Sequence, residues 1–184
     1  MKLLILLLTL SLTACADWQD AIFELGVGVE RSMSNVSKHV ISTPNHDWVY
    51  LESNPESTSS SAEVLIMLHG FAVDKDNWIR FARNFPSYKV IIPDLPGHGE
   101  TSYNSELIYD FNNQAAWLND FVNQLGLDRF FLAGSSLGGY YAWNYANAHP
   151  EKLYKLALVA ATGYPQDMPF WIGLASAPVM HWIS

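Results

Sequence analysis

Gly134-Ser135-Ser136-Leu137-Gly138 sets a serine between two glycines, each two residues away, a pattern suited to acyl transfer. In G-x-S-x-G the central residue rides a sharp strand-to-helix turn, and its small flanks let neighbouring backbone crowd in. By that spacing Ser136 is the nucleophile and Ser135 the variable residue before it. A helix opening at Leu137 would aim the Leu137 amide at an oxyanion formed on Ser136. His69-Gly70-Phe71 offers a second donor: the glycine lets the chain turn so that the Phe71 amide faces inward, its ring lining the pocket. A glycine-rich turn that only caps a helix, or a plain strand-end turn, would carry the same letters. Context separates the readings.

That context is a set of apolar runs. Val64–Gly70, Tyr88–Asp94, Arg129–Ser135 and Lys155–Gly163 show no polar alternation, as expected of parallel strands covered on both faces. Between them, helical spacing covers Asp76–Phe85, Asn112–Leu125 and Leu137–Ala148. Strand and helix alternate over short connections, which predicts an α/β fold built on an open, mostly parallel sheet. Lys38–Ser42 and Asp47–Glu52, divided by Thr-Pro-Asn-His, read as an antiparallel hairpin ahead of it. Ser53–Glu63 reads as a polar loop and the place for local disorder. Ligands of such sheets gather at the carboxyl ends of the strands, where both candidate motifs lie.

The chain has 184 residues, enough for one domain with a sizeable core, and 10 basic against 18 acidic groups. A net charge of −8 without a Lys/Arg cluster excludes a nucleic-acid partner. Residues 1–14, with Lys2 ahead of the aliphatic Leu3–Leu12, have the layout of a signal peptide and are too short to span a membrane stably. Leu12-Thr13-Ala14-Cys15 resembles the lipobox of bacterial lipoproteins, in which the peptide is cut before the cysteine and the cysteine is lipidated. Cys15 is the single cysteine of the chain, so no internal disulfide is available to it. Ala16 after it, where inner-membrane retention would favour aspartate, implies an exported protein held at the bacterial outer membrane. Residues 15–36 form the anchor and a short amphipathic helix over Asp17–Met33, with Trp18, Ile22, Phe23, Leu25 and Val29 at helical spacing. Residues 37–163 form the core, and 164–184 begin a further, proline-punctuated cap segment.

"HGF", "PDLPGHG" and "GSSLGG", in this order and at these separations, resemble the α/β-hydrolase superfamily, in particular its cap-bearing bacterial lipases and esterases. The resemblance implies Ser136 as nucleophile, the Phe71 and Leu137 amides as oxyanion hole, and a structural role for Asp94, Gly97, His98 and Gly99. It implies carboxylic ester hydrolysis through an acyl-enzyme, on lipid or small-molecule esters, with neither cofactor nor metal. The family orders its triad as Ser, acid, His. After Ser136 the acids are Glu151 and Asp167 and the histidines His149 and His181. His149 reads as a helix-end residue, so Asp167 and His181 are the remaining partners in this chain. Asp167 follows the fourth run, where some members carry the acid but where a cap-loop carboxylate is the preferred reading; His181 falls earlier than the family places its base, and no strand follows the apolar Leu156–Ala160 to cover its edge. The expectation is therefore a chain that stops before its acid and base. A carbon–carbon or other non-lipid serine hydrolase, and a non-catalytic lipoprotein keeping the fold, are the alternatives. His39, His46, His69 and His98 are expected to be scaffold.

Overall fold

The computed structural model describes residues 18–19, 21–53 and 62–163. The polar loop, the segment after residue 163, Cys15, Asp167 and His181 lie outside the described residues. Helix α1 (21–33) leads into β1 (Val36–Ser42) and β2 (Asp47–Ser53), which pair antiparallel around the Thr43–His46 turn. The Thr43 amide and hydroxyl both donate to the His46 carbonyl and close that hairpin.

Then follow β3 (Val64–Leu68), a 3-10 turn (Lys75–Trp78) running into the single-turn α2 (Ile79–Ala82), β4 (Lys89–Pro93), α3 (Phe111–Gln124), β5 (Phe130–Ser135), α4 (Leu137–Ala148) and β6 (Leu153–Val159). The sheet order is β1-β2-β4-β3-β5-β6. β4, β3, β5 and β6 run parallel, and β2 joins β4 antiparallel. The expected sheet with its N-terminal hairpin is therefore present.

All five residues of β3 are buried, because both of its faces are covered. Ile66 and Leu68 point into a core shared with Trp48, Phe121, Leu132 and Tyr145, under α3 and α4. Leu65 and Met67 point the other way, onto Trp78, Ile79 and Ala82. This alternation is the pleat expressed on a doubly covered strand.

Two expectations are corrected. The helix expected over Asp76–Phe85 is a four-residue 3-10 turn and one α-turn, because Arg83 ends the helix and the chain turns through Pro86 to enter β4. The last strand, expected to be buried on both faces, is largely exposed, with Leu158 at 42% and Val159 at 49%. It forms the sheet edge beside β5, and an apolar groove of about 400 Å³ crosses its open face past Phe131 to Trp78.

Candidate active site

Parallel pairing sets the level of the site. Leu68 lies opposite Gly134, so the residues just after β3 and β5 leave the sheet side by side at its carboxyl edge. Ser136 stands at φ +52° and ψ −116°, a left-handed conformation for a side-chain-bearing residue, between the end of β5 and the start of α4. Such a conformation costs about 1–3 kcal/mol and needs surrounding structure to impose it. Here the Ser136 amide donates to the Val159 carbonyl at 3.0 Å, and the Ser136 carbonyl accepts from the Tyr140 and Thr162 amides. The turn is held by its own helix and by the edge strand together.

The flanking glycines are dictated by close backbone approach. A Cβ at residue 134 would meet the Gly138 carbonyl oxygen at 2.2 Å, and one at 138 would meet the His69 carbonyl oxygen at 2.3 Å. The elbow thus packs against both its own helix and the end of β3. A Cβ at residue 70 would lie 3.3 Å from the Ser136 Cβ, so the His69-Gly70-Phe71 turn rests directly on the serine. The two motifs singled out from the sequence are therefore in contact.

His69 is fully buried and both its ring nitrogens are committed to backbone. Nε2 accepts from the Leu95 amide at 2.9 Å, so Nδ1 carries the proton and donates to the Gly70 carbonyl at 2.8 Å. Burial pushes its pKa below the ordinary histidine value. It is scaffold with a directional effect. In a trans peptide the Gly70 carbonyl and the Phe71 N–H point opposite ways, so fixing the first fixes the second. The Phe71 ring is 75% exposed and edge-on to His98 at 6.2 Å.

The other described histidines have partners of their own. His39 stacks on Tyr50, and His46 is buried with Nδ1 on the Ser102 carbonyl. His98 packs on His69, and His149 caps α4 near Glu151. Among the described residues, no group of three histidine, cysteine or carboxylate side chains could hold a metal ion.

Asp94 organises the loop behind the site, as its place in "PDLPGHG" led us to expect. Fully buried, it accepts from the Lys75 amide, the Lys75 ammonium at 2.8 Å and the Glu100 amide. Gly99, at φ +52°, could carry no side chain here, since a Cβ would lie 2.3 Å from that carboxylate. Sequence reasoning missed Lys75, which is 1% exposed and also reaches Glu100 at 2.9 Å. Burial opposes its charge, but hydrogen bonds to Asp94 and Glu100 outweigh that and raise its pKa. Glu100, bonded to Lys38 and Lys75, is held down to about 2. The buried pair ties the segment after Phe71 to the end of β4.

A parallel sheet with helices on both faces, carrying a serine elbow against a glycine turn at its carboxyl edge, is an α/β-hydrolase core. The chain belongs to the alpha/beta hydrolase fold family, whose model matches residues 63–180. It is 30% identical over 164 residues to lipase 1 of Psychrobacter immobilis, covering 86% of this chain and 50% of that protein. It is 28% identical over 158 residues to monoacylglycerol lipase abhd6-A of Xenopus laevis, covering 83% and 46%. Among solved structures, a membrane phospholipase A described as a bacterial virulence factor matches with a TM-score of 0.76 and 35% identity, covering 92% of this chain and 55% of that one. The chain spans about half the length of the curated relatives it matches.

Proposed function

We propose that this chain serves the hydrolysis of carboxylic esters, lipid esters among them, through an acyl-enzyme on Ser136. The observation that carries the reading is the strained Ser136 turn with Gly70 packed against its Cβ. That pairing sets a nucleophile and two candidate amide donors at one sheet edge. The Ser136 Oγ attacks the ester carbonyl carbon, and the carbonyl π pair moves onto oxygen. The Phe71 and Leu137 amides receive that oxyanion. Leu137 opens a 12-residue helix, where first-turn N–H groups have no intrahelical acceptor. The tetrahedral intermediate collapses, the alcohol departs with the proton taken from Oγ, and water later cleaves the acyl-enzyme.

A base must shuttle that proton. Asp167 and His181, both outside the described residues, are the candidate acid and base that this chain offers. Similarity to lipases and monoacylglycerol lipases supports the ester assignment. The lipobox-like "LTAC" supports export, cleavage before Cys15 and lipidation at the bacterial outer membrane.

A fluorophosphonate probe tests the reading. Labelling of the chain that disappears in Ser136→Ala supports it, and labelling that survives the substitution contradicts it. His181→Ala with unchanged labelling removes His181 as base. Palmitate incorporation lost in Cys15→Ser supports the anchor, and incorporation that persists removes it.

A further inference from the structure

α1 faces the wrong way for a helix of a globular domain. Trp18 stands just ahead of α1, and at 100° per residue Ile22, Leu25, Val29 and Met33 share an arc of about 80°. Such a stripe ordinarily turns inward to the core. Here the five are 52%, 59%, 68%, 51% and 65% exposed. The helix is docked instead by its polar side chains. Arg31, projecting from the opposite side, makes a bidentate pair with Asp76 at 2.7 and 2.5 Å. Glu30, on the flank, receives Arg80 and Arg83. The hydrogen bond from Arg83 Nε to Ser34 Oγ, at 2.7 Å, fixes the end of the helix. The ion pairs set α1 rigidly on the domain with its apolar side outward.

We infer that α1 is an interfacial helix whose apolar stripe beds into the surface of a phospholipid bilayer. Four observations favour a membrane over another occupant. Trp18 stands three residues after the cysteine read as the lipid anchor, and the stripe follows directly. A chain held there delivers the stripe to the lipid boundary with no spacer. Among the described residues α1 is not long and apolar enough to cross a membrane, so a contact with one would run along its surface. The stripe carries no charge, and Trp18 just ahead of it suits the headgroup level. The net charge of −8 makes attraction to anionic lipid unfavourable, so the surface it fits is zwitterionic.

A lipidated cysteine tethers the chain without fixing how it faces the bilayer, and a second, apolar contact fixes that orientation. Orientation bears on the candidate site. A groove of about 690 Å³ separates α1 from Val73 and Asp74, two and three residues beyond Phe71. Bedding α1 brings the loop that carries the Phe71 amide toward the lipid.

The inference does not depend on Ser136 chemistry, and the test is made independent of lipidation. In the full chain carrying Cys15→Ser, single cysteines at Leu25, Val29 or Lys38 take an environment-sensitive fluorophore. Phosphatidylcholine vesicles, with and without nitroxide-labelled acyl chains, are then added. The expected result is a blue shift and nitroxide quenching at 25 and 29, none at 38, and loss of the shift at 29 when Leu25→Glu and Met33→Glu are added. Probes at 25 and 29 that stay water-exposed on vesicle-bound protein overturn the inference. So does blue emission already present in buffer: if it rises with protein concentration a second copy covers the stripe, and if not, another segment of the chain does.

Discussion

Ser136 and Ser135 are adjacent, and only backbone conformation distinguishes them. Ser135 is the last residue of a paired strand, whereas Ser136 is held at positive φ by three hydrogen bonds from two elements. Ser136→Ala is expected to abolish esterase turnover with short-chain p-nitrophenyl esters, and Ser135→Ala to leave most of it. Lys75 makes the opposite kind of contribution, structural and invisible to substrate. Lys75→Met strips a fully buried carboxylate of its partner, a change that typically costs about 3–5 kcal/mol. An unfolding free energy lowered by that amount, read from urea denaturation as a lower midpoint, is the expected result. An unchanged midpoint would mean that Asp94 has another source of compensation. Lys75 was illegible in the sequence because a lysine between Asp74 and Asp76 reads as solvated. Its partner is set by the fold, nineteen residues further on.

The elements were legible where local pattern and tertiary environment agree. β3, β4 and β5 are short apolar runs because both of their faces are covered, and α4 spans the residues its periodicity marks. They fail to agree in three places. An apolar run carries no record of what covers its faces, so β6 was expected to be buried on both faces, whereas among the described residues it is largely exposed. Helical spacing over Asp76–Phe85 reported the apolar contacts of Trp78 and Ile79 but not the turn into β4 that cuts the helix short. The stripe of α1 was visible, though not the direction it faces, which Arg31 and Glu30 decide through residues 45 or more positions away. An exposed, flat, apolar edge invites pairing with another chain. Leu158→Lys with Tyr154→Lys should therefore raise the concentration at which the chain aggregates, measured by light scattering. Because both residues are more than 40% exposed, the cost to stability should stay within about 1 kcal/mol. Unaltered aggregation would assign the liability to another surface.

At the scale of the whole molecule, the buried histidines tie stability to pH. Burial holds both His46 and His69 below the ordinary histidine value of 6.5. Above that value the rings are neutral in folded and unfolded chain alike. As the pH falls through it, the unfolded chain takes up protons that the native rings refuse, so stability declines until the native rings themselves protonate. Denaturation by urea at about pH 7.5 and about pH 5.5 should show the lower midpoint in acid. Glu100 adds a second loss further down, as the pH falls from its ordinary 4.5 toward about 2 and its bonds to Lys38 and Lys75 are given up. A flat profile between neutrality and pH 5.5 would contradict the neutral, backbone-committed state of His69, on which the orientation of the Phe71 amide depends. α1 borders a groove whose far wall includes Val73 and Asp74, just after Phe71, so a bilayer contact of α1, as proposed, would lie beside the candidate oxyanion loop.

The central claim concerns one oxygen atom, and adduct mapping addresses it directly. After reaction with a fluorophosphonate, digestion and tandem mass spectrometry of the peptide containing Ser135 and Ser136 localise the phosphonyl group. A single adduct on Ser136, absent in Ser136→Ala, is the expected result. An adduct on Ser135, or on a serine elsewhere with Ser136 unmodified, would contradict it.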